Sequence, residues 1–249
     1  MLLPKLAAIY LSLTLSGVRA LECSQEIGSD FLSVDAGGGQ AFAIRTGDLV
    51  YRWCNYRWIP VMGTMKQISV NGSTVYGIHN TWHLYRYLHG SWFLMDETTI
   101  QITAKHTNML YAIGELLGNI FCSLLDKNDP TYSSWKPSFI TMSVMACGLH
   151  DCWGIDSNGN LRYLITPSTC AVQLSFIKIY GNFVTLDVSD NGVVYAIDSN
   201  WKLHRSIGVR TSVTTLEPLL PEKKIRSVSV DGDLLWLVTV EGTIMLCNV

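Results

Sequence analysis

Past its first 20 residues the sequence lacks any apolar run approaching the ~20 residues that a membrane-crossing helix needs. It is poor in charge, with Asp, Glu, Lys and Arg together at 15%. It has no basic excess: 18 basic residues face 20 acidic ones, a net charge of −2. Such a chain has no positive field for a phosphate backbone, and this excludes nucleic acid as an expected partner. No convincing amphipathic helix is found, and the most helix-like segment, Ile113–Asp126, falls where a repeat described below calls for a strand. There is no G-x-S-x-G, no phosphate-binding loop and no H-E-x-x-H. The six histidines are scattered; His79 and His83 are four apart, but in a turn-like stretch, where that spacing does not align them as it would on a helix.

What is present is repetition. Lys66–Tyr87 reads as three short strands: Ile68 and Val70 alternate with polar neighbours, Asn71-Gly72 breaks the run, and Tyr76 and Ile78 flank Gly77 before a polar turn at His79–Trp82. The anchor, an aromatic, a usually small residue and a branched aliphatic, recurs at Phe42–Ile44, Tyr76–Ile78, Tyr111–Ile113, Trp153–Ile155, Tyr195–Ile197 and Trp236–Val238. Its aliphatics are spaced by 34, 35, 42, 42 and 41 residues. A preceding strand is read at Val34/Ala36, Ile68/Val70, Ile102/Ala104, Met142/Val144, Leu186/Val188 and Val228/Val230. A following apolar position lies at Val50, Leu84, Ile120, Leu161, Leu203 and Ile244, with Ile120 displaced by one residue. Repeats of about 40 residues with about four strands each predict a six-bladed all-β propeller. The alternation has a packing reason. A large strand face set against a small one lets neighbouring blades interlock, and no blade can bury its apolar face alone.

Residues 1–20 read as a secretory signal peptide: Lys5, an apolar stretch Leu6–Ser16, and Val18-Arg19-Ala20 as a small-x-small cleavage site. Residues 21–249 then form one domain, in which 16 basic residues against 20 acidic ones give a net charge of −4. All seven cysteines lie in this part, and secretion makes disulfides the expected state. Sequence does not fix their pairing, but a closed ring suggests one. Cys23 and Cys247 would staple the meeting ends, Cys147 and Cys152 would close a hairpin, Cys122 and Cys170 would link copies three and four, and Cys54 would be left over. A zinc site at Cys147, Cys152 and His150 is the other reading of that hairpin. Asn71-Gly72-Ser73 is a glycosylation sequon on a surface turn.

The opening LECSQEIGSDFLSVDAGGGQAFAI, the central CGLHDCWGIDSNGNL and the closing GTIMLCNV resemble the fish-egg lectins, secreted proteins of tectonin repeats. The resemblance covers residues 21–249. It implies a six-bladed propeller that binds N-acetylglucosamine-type sugars and bacterial polysaccharide or lipopolysaccharide, in innate defence or in the egg. The partners it implies are glycans of microbial or egg surfaces, with a homo-oligomer as an open option.

Sugar recognition needs planar hydrogen-bonding groups and an aromatic face. The turns after the second strands offer both, in His79–His83, Asp156–Asn160 and Asp198–Lys202. The expected sugar-binding residues are Asn80, Trp82, Asp156, Asn158, Asp198, Asn200 and Trp201, with Trp82 and Trp201 as stacking platforms. The same residues are also what a tight turn requires. Trp58, Trp92 and Trp135 recur after the third strands and read as blade packing. Arg52, Arg86, Arg162 and Arg205, in or after the third strands, could meet phosphate or serve as solvated edges.

Asp151, Asp156, Asp187, Asp190 and Asp198 could pair as glycosidase carboxylates. Most occupy repeated turn positions, and a single active site would break the repeat rather than follow it, so the protein is not expected to be an enzyme. No motif implies a cofactor; calcium is conceivable at the Asp/Asn turns, but no EF-hand spacing is present. A protein-binding propeller scaffold without sugar affinity is the alternative function.

Overall fold

The computed structural model describes residues 21–24, 27–72, 74–106, 109–115, 117–125, 134–150, 152–166 and 170–249. The segment read as a signal peptide lies outside the described residues. Six antiparallel sheets of four strands each follow one another along the chain. Blade 1 comprises Phe31–Gly37, Gln40–Arg45, Leu49–Cys54 and Arg57–Thr64. Blade 2 comprises Gln67–Asn71, Thr74–Ile78, His83–Leu88 and Ser91–Thr98. Blade 3 comprises Gln101–His106, Met109–Ile113, Asn119–Leu124 and Trp135–Thr141. Blade 4 comprises Val144–Cys147, Cys152–Ile155, Leu161–Ile165 and Gln173–Ile179. Blade 5 comprises Phe183–Val188, Val194–Asp198, Leu203–Ile207 and Thr215–Leu219. Blade 6 takes three strands from the end of the chain, Ile225–Asp231, Leu234–Thr239 and Ile244–Asn248, and its fourth from the beginning, Glu22–Cys23.

The alternation seen in the sequence is a division of labour between blades. Phe42 and Ile44 pack with Ile68, Val70 and Val75 of blade 2, while Ala41 and Ala43 pack with Trp236 and Val238 of blade 6. The pattern repeats at Tyr76/Ile78, Tyr111/Ile113, Trp153/Ile155, Tyr195/Ile197 and Trp236/Val238, each facing the next blade. The core is therefore six apolar seams, one at each junction. Every following aliphatic sits directly opposite its anchor, as in Ile44↔Val50, Ile78↔Leu84 and Ile113↔Ile120. Burying one such side chain contributes ~1.5–3 kcal/mol.

In blade 4 the inner-strand pair is Met145 and Cys147, which lie opposite Gly154 and Cys152, and not Met142 and Val144 as read from the sequence. The run Val144–Cys147 is apolar throughout, so alternation there carries no phase, and register against the second strand decides the faces. Met142 instead takes the position three residues before the first inner-strand aliphatic, held by Met65 in blade 2 and Phe183 in blade 5.

Polar bonds also couple the blades. The left-handed residue in each turn after the second strand, Asp48, Trp82, Gly118, Gly159, Trp201 or Gly242, offers its carbonyl to the next blade. It accepts there from the amides of Met65, Thr99, Met142, Phe183, Ile225 and Phe31, at 2.8–2.9 Å. Around the axis a channel of 370 Å³ is lined by the inner strands. There, side chains of one blade satisfy the backbone of the next: Asp35 Oδ1 accepts from Val70 N, Gln67 Oε1 from Ile102 N, and Asp187 Oδ2 from Val230 N.

The disulfides are Cys23–Cys247, Cys122–Cys170 and Cys147–Cys152, with Cys54 a half-buried free thiol. The ring is closed by Cys23 opposite Cys247 and Glu22 opposite Asn248. Asn71 ends the first strand of blade 2 beside a small opening shared with Gly38 and Asp231, while Ser73 of its sequon lies outside the described residues.

Candidate functional site

Within this repeated frame one pair of positions varies in chemistry from blade to blade. It consists of the residue after each anchor aliphatic and the residue after its buried partner on the third strand. The pairs are Arg45/Tyr51, His79/Tyr85, Gly114/Phe121, Asp156/Arg162, Asp198/His204 and Thr239/Met245. Each points toward the preceding blade at the ring end that carries the turns after the second strands. Framework positions hold the ring together, so they repeat; a position free to differ in charge, size and polarity is where recognition can be set.

In blade 1 the cleft beside this pair is filled. Phe31 sits 5.4 Å from Trp58 and 5.8 Å from Tyr51, and Trp53 lies 5.1 Å from Trp58. In blades 2 and 3 it is open. The blade 1–2 cleft encloses 430 Å³ between Leu49, Met62 and Gly63 on one wall and His79, Tyr85 and Trp92 on the other. The blade 2–3 cleft encloses 410 Å³ between Thr98 and Thr99 and the wall of Glu115, Asn119, Phe121 and Trp135. Gly114 lets the Phe121 ring lie against the second strand, because a Cβ there would meet Phe121 at 2.7 Å. Each cleft has an aromatic wall of two rings and a polar rim, a combination that suits a sugar ring.

The indoles differ. Trp92 Nε1 donates to Met62 O at 2.9 Å. Trp135 Nε1 is buried and meets no acceptor among the described residues. On the rim of the first cleft, Thr81 Oγ1 lies 2.9 Å from His79 Nδ1 and 3.0 Å from His83 Nδ1.

The seven sugar-site residues expected from the sequence all lie at this end of the ring, on the turns of blades 2, 4 and 5, but none lines either open cleft. Asp156 and Asp198 build their own turns. Asp156 Oδ1 accepts from the amides of Asn158 and Asn160 at 3.0 Å each, and Asp198 Oδ1 accepts from Asn200 at 2.8 Å and Lys202 at 3.0 Å. Burial alone would raise both carboxyls. The turn amides outweigh it and hold both below the usual range, helped by Asn160 and Lys178 at Asp156 and by His204 at Asp198. Asn80, Asn158 and Asn200 are exposed. Trp82 and Trp201 take the left-handed position that glycine takes in blades 3, 4 and 6, at φ of 66° and 65°, with their rings partly exposed. A bulky residue there is strained, and a strained residue kept at the surface is consistent with a use outside the fold.

Trp58 packs against Phe31, Trp53 and Trp236, as expected from the sequence. Trp92 and Trp135 also pack, but they line the open clefts as well. The signal available in the sequence was the register: both follow the third strand by a hairpin, and Tyr85 and Phe121 stand one residue after a buried aliphatic. Among the described residues no group of three or more His, Cys, Asp or Glu is placed to hold a metal, and no helix is long and apolar enough to cross a membrane.

Six four-stranded blades with a disulfide joining the first and last strands define a closed six-bladed β-propeller. Residues 30–240 match the tectonin domain, and the chain belongs to that family. It is 28% identical over 138 residues to the fish-egg lectin of Cyprinus carpio, a match that covers 52% of this chain and 58% of the carp protein. Among solved structures it resembles the propeller of Cps50 (Swd1) from Myceliophteria thermophila, with TM-score 0.61, 11% identity and coverage of 92% of this chain and 99% of that one. It also resembles YCF48 bound to D1 peptide, with TM-score 0.57, 13% identity and coverage of 88% and 78%. At such identities these two likenesses concern the fold alone.

Proposed function

We propose that this protein is a secreted, non-enzymatic lectin that binds N-acetylglucosamine-type sugars through more than one site per chain. The observation that carries the reading is the pair of open clefts of nearly equal volume at equivalent positions of blades 2 and 3. Tyr85/Trp92 and Phe121/Trp135 supply the apolar faces, and the polar rims supply the hydrogen bonds. Kinship to a fish-egg lectin supports the same reading. Trp82 and Trp201 act as secondary platforms on the turns. Weak sites at fixed spacing gain avidity on a repetitive glycan surface without new contacts, which suits microbial or egg-coat polysaccharide.

The test is a calorimetric titration of the secreted protein with N-acetylglucosamine, with and without a calcium chelator, on wild type and on Trp92→Ala and Phe121→Ala. Saturable binding with more than one site, reduced by each substitution, is expected, and the chelator decides any calcium requirement. Absence of heat and of chemical-shift change at millimolar sugar would overturn the reading in favour of a protein-binding scaffold.

A further inference from the structure

The variable pair holds an arginine in two blades, and the two are treated differently. In blade 1, Arg45 is fully engaged: Nε donates to Ser29 O at 2.8 Å, Nη2 to Asp30 Oδ2 at 3.1 Å, and Nη1 lies 3.5 Å from Tyr51 Oη. In blade 4, Arg162 makes no hydrogen bond among the described residues. Its Nε is buried without a partner, and its nearest charge, Asp156 Oδ2, stands at 3.9 Å from Nη1, beyond hydrogen-bond range. A guanidinium carries five donors in a planar fork, and leaving a buried one unmet is costly.

Lys178 stands beside it, directly opposite Arg162 in the sheet register, with Nζ 3.7 Å from the same Asp156 oxygen. Two cations therefore face one carboxylate. That carboxylate is occupied, since Oδ1 accepts three N–H bonds from Asn158 and Asn160, and Oδ2 lies 3.2 Å from Asn160 Nδ2. The local excess is one positive charge. Blade 5 differs at the same place: Asp198 Oδ2 is 3.1 Å from His204 Nε2, and Lys202 Nζ donates to Pro221 O, so its groups satisfy one another. In the outer strand of blade 3, Phe139 stands three residues before Met142, as Met62 of the first cleft stands three before Met65. Phe139 is fully exposed.

We propose that the blade 4 face toward blade 3 is an anion-selective subsite, in which Arg162 and Lys178 bind a phosphate monoester or carboxylate carried by a sugar. The inference deepens the sugar-binding reading and rests on it. The ring then carries two chemical classes of site at one end: clefts lined by no Lys or Arg in blades 2 and 3, and a cationic one in blade 4. A charge-assisted hydrogen bond to the fork contributes enough for about tenfold in affinity.

The test compares N-acetylglucosamine, N-acetylglucosamine 6-phosphate, N-acetylmuramic acid and inorganic phosphate, titrated into wild type and Arg162→Met. Methionine fills this position in blade 6 as Met245, so the frame accommodates it. Expected is about tenfold tighter binding of one of the two anionic sugars than of the neutral sugar, weakened by salt and abolished in Arg162→Met. Which anionic sugar gains identifies phosphate or carboxylate as the group read. Equal affinity of all three sugars for wild type, or a preference that survives in Arg162→Met, would overturn the proposal while leaving the neutral reading intact. If no sugar binds, the neutral reading fails, and the Arg162 Nε–Hε NMR signal still decides the subsite: a saturable shift with inorganic phosphate supports it, and none at tens of millimolar overturns it.

Discussion

Removing the cysteine pairs one at a time, as Cys→Ala double substitutions, should destabilise the ring in the order of the loops they close. The bridges Cys23–Cys247, Cys122–Cys170 and Cys147–Cys152 span sequence separations of 224, 48 and 5. If a bridge acts by restricting the unfolded chain, the loop-entropy relation assigns them about 5, 4 and 2 kcal/mol. Cys247, Cys147 and Cys152 are fully buried and Cys23 half-buried, so the packing cost of alanine is the larger for the hairpin pair and works against the expected order. The first value is comparable to the whole stability of many domains, ~5–15 kcal/mol. It also falls on the weakest strand: Glu22–Cys23 is held by two residue pairs, by Ser24 N donating to Leu246 O, and by the Ile27–Ile244 bridge. Guanidinium denaturation with linear extrapolation measures the three losses, and native-state hydrogen exchange at Ser24 shows whether the terminal strand has detached. The reasoning is refuted if loss of Cys147–Cys152 costs as much as loss of Cys23–Cys247, since the hairpin bridge closes too short a loop to match it.

Other expectations follow from single positions. Trp82→Gly and Trp201→Gly should each raise stability by about 1 kcal/mol in thermal denaturation, by relieving a left-handed tryptophan; if sugar affinity is unchanged in both, these rings are not platforms. Gly77→Val should cost ~1–3 kcal/mol and weaken N-acetylglucosamine binding, because a Cβ there meets Met65 Sδ at 2.7 Å and Trp92 Cζ3 at 2.9 Å, forcing the cleft wall to move; denaturation and calorimetry on the same sample read both effects. Asp156 and Asp198 titrate below the ordinary carboxyl value of 3.8 in the folded state, so their contribution is complete above that value and disappears as pH falls through the lower folded values. Urea denaturation between pH 6 and pH 2.5 should therefore show an acid loss that is smaller in an Asp156→Asn, Asp198→Asn double variant.

The blades were legible because their cause is local. A strand buried on both sides must place large residues on one face and small ones on the other, and that requirement is written at period two in Phe42–Ile44 and its five counterparts. Closure was legible from Cys23 and Cys247 because a ring must join its ends. Where the local pattern carried no phase, as in the apolar run Val144–Cys147, only pairing with Cys152–Ile155 set the faces. The Asp/Asn turns show the same limit from the other side: their composition suits both a tight turn and a sugar. The tertiary structure commits Asp156 and Asp198 to backbone amides and leaves the open space elsewhere. The clefts of blades 2 and 3 could not be read along the chain, because each has one wall from one blade and the second from the next. Tyr85, Trp92 and Met62 meet only when two repeats are set side by side. The sequence alone thus determined the repeat, most of the strands and the closure of the ring, and suggested the covalent staples. The fold alone decided which junctions are filled, which are open, and that Arg162 Nε was left without a hydrogen-bond partner.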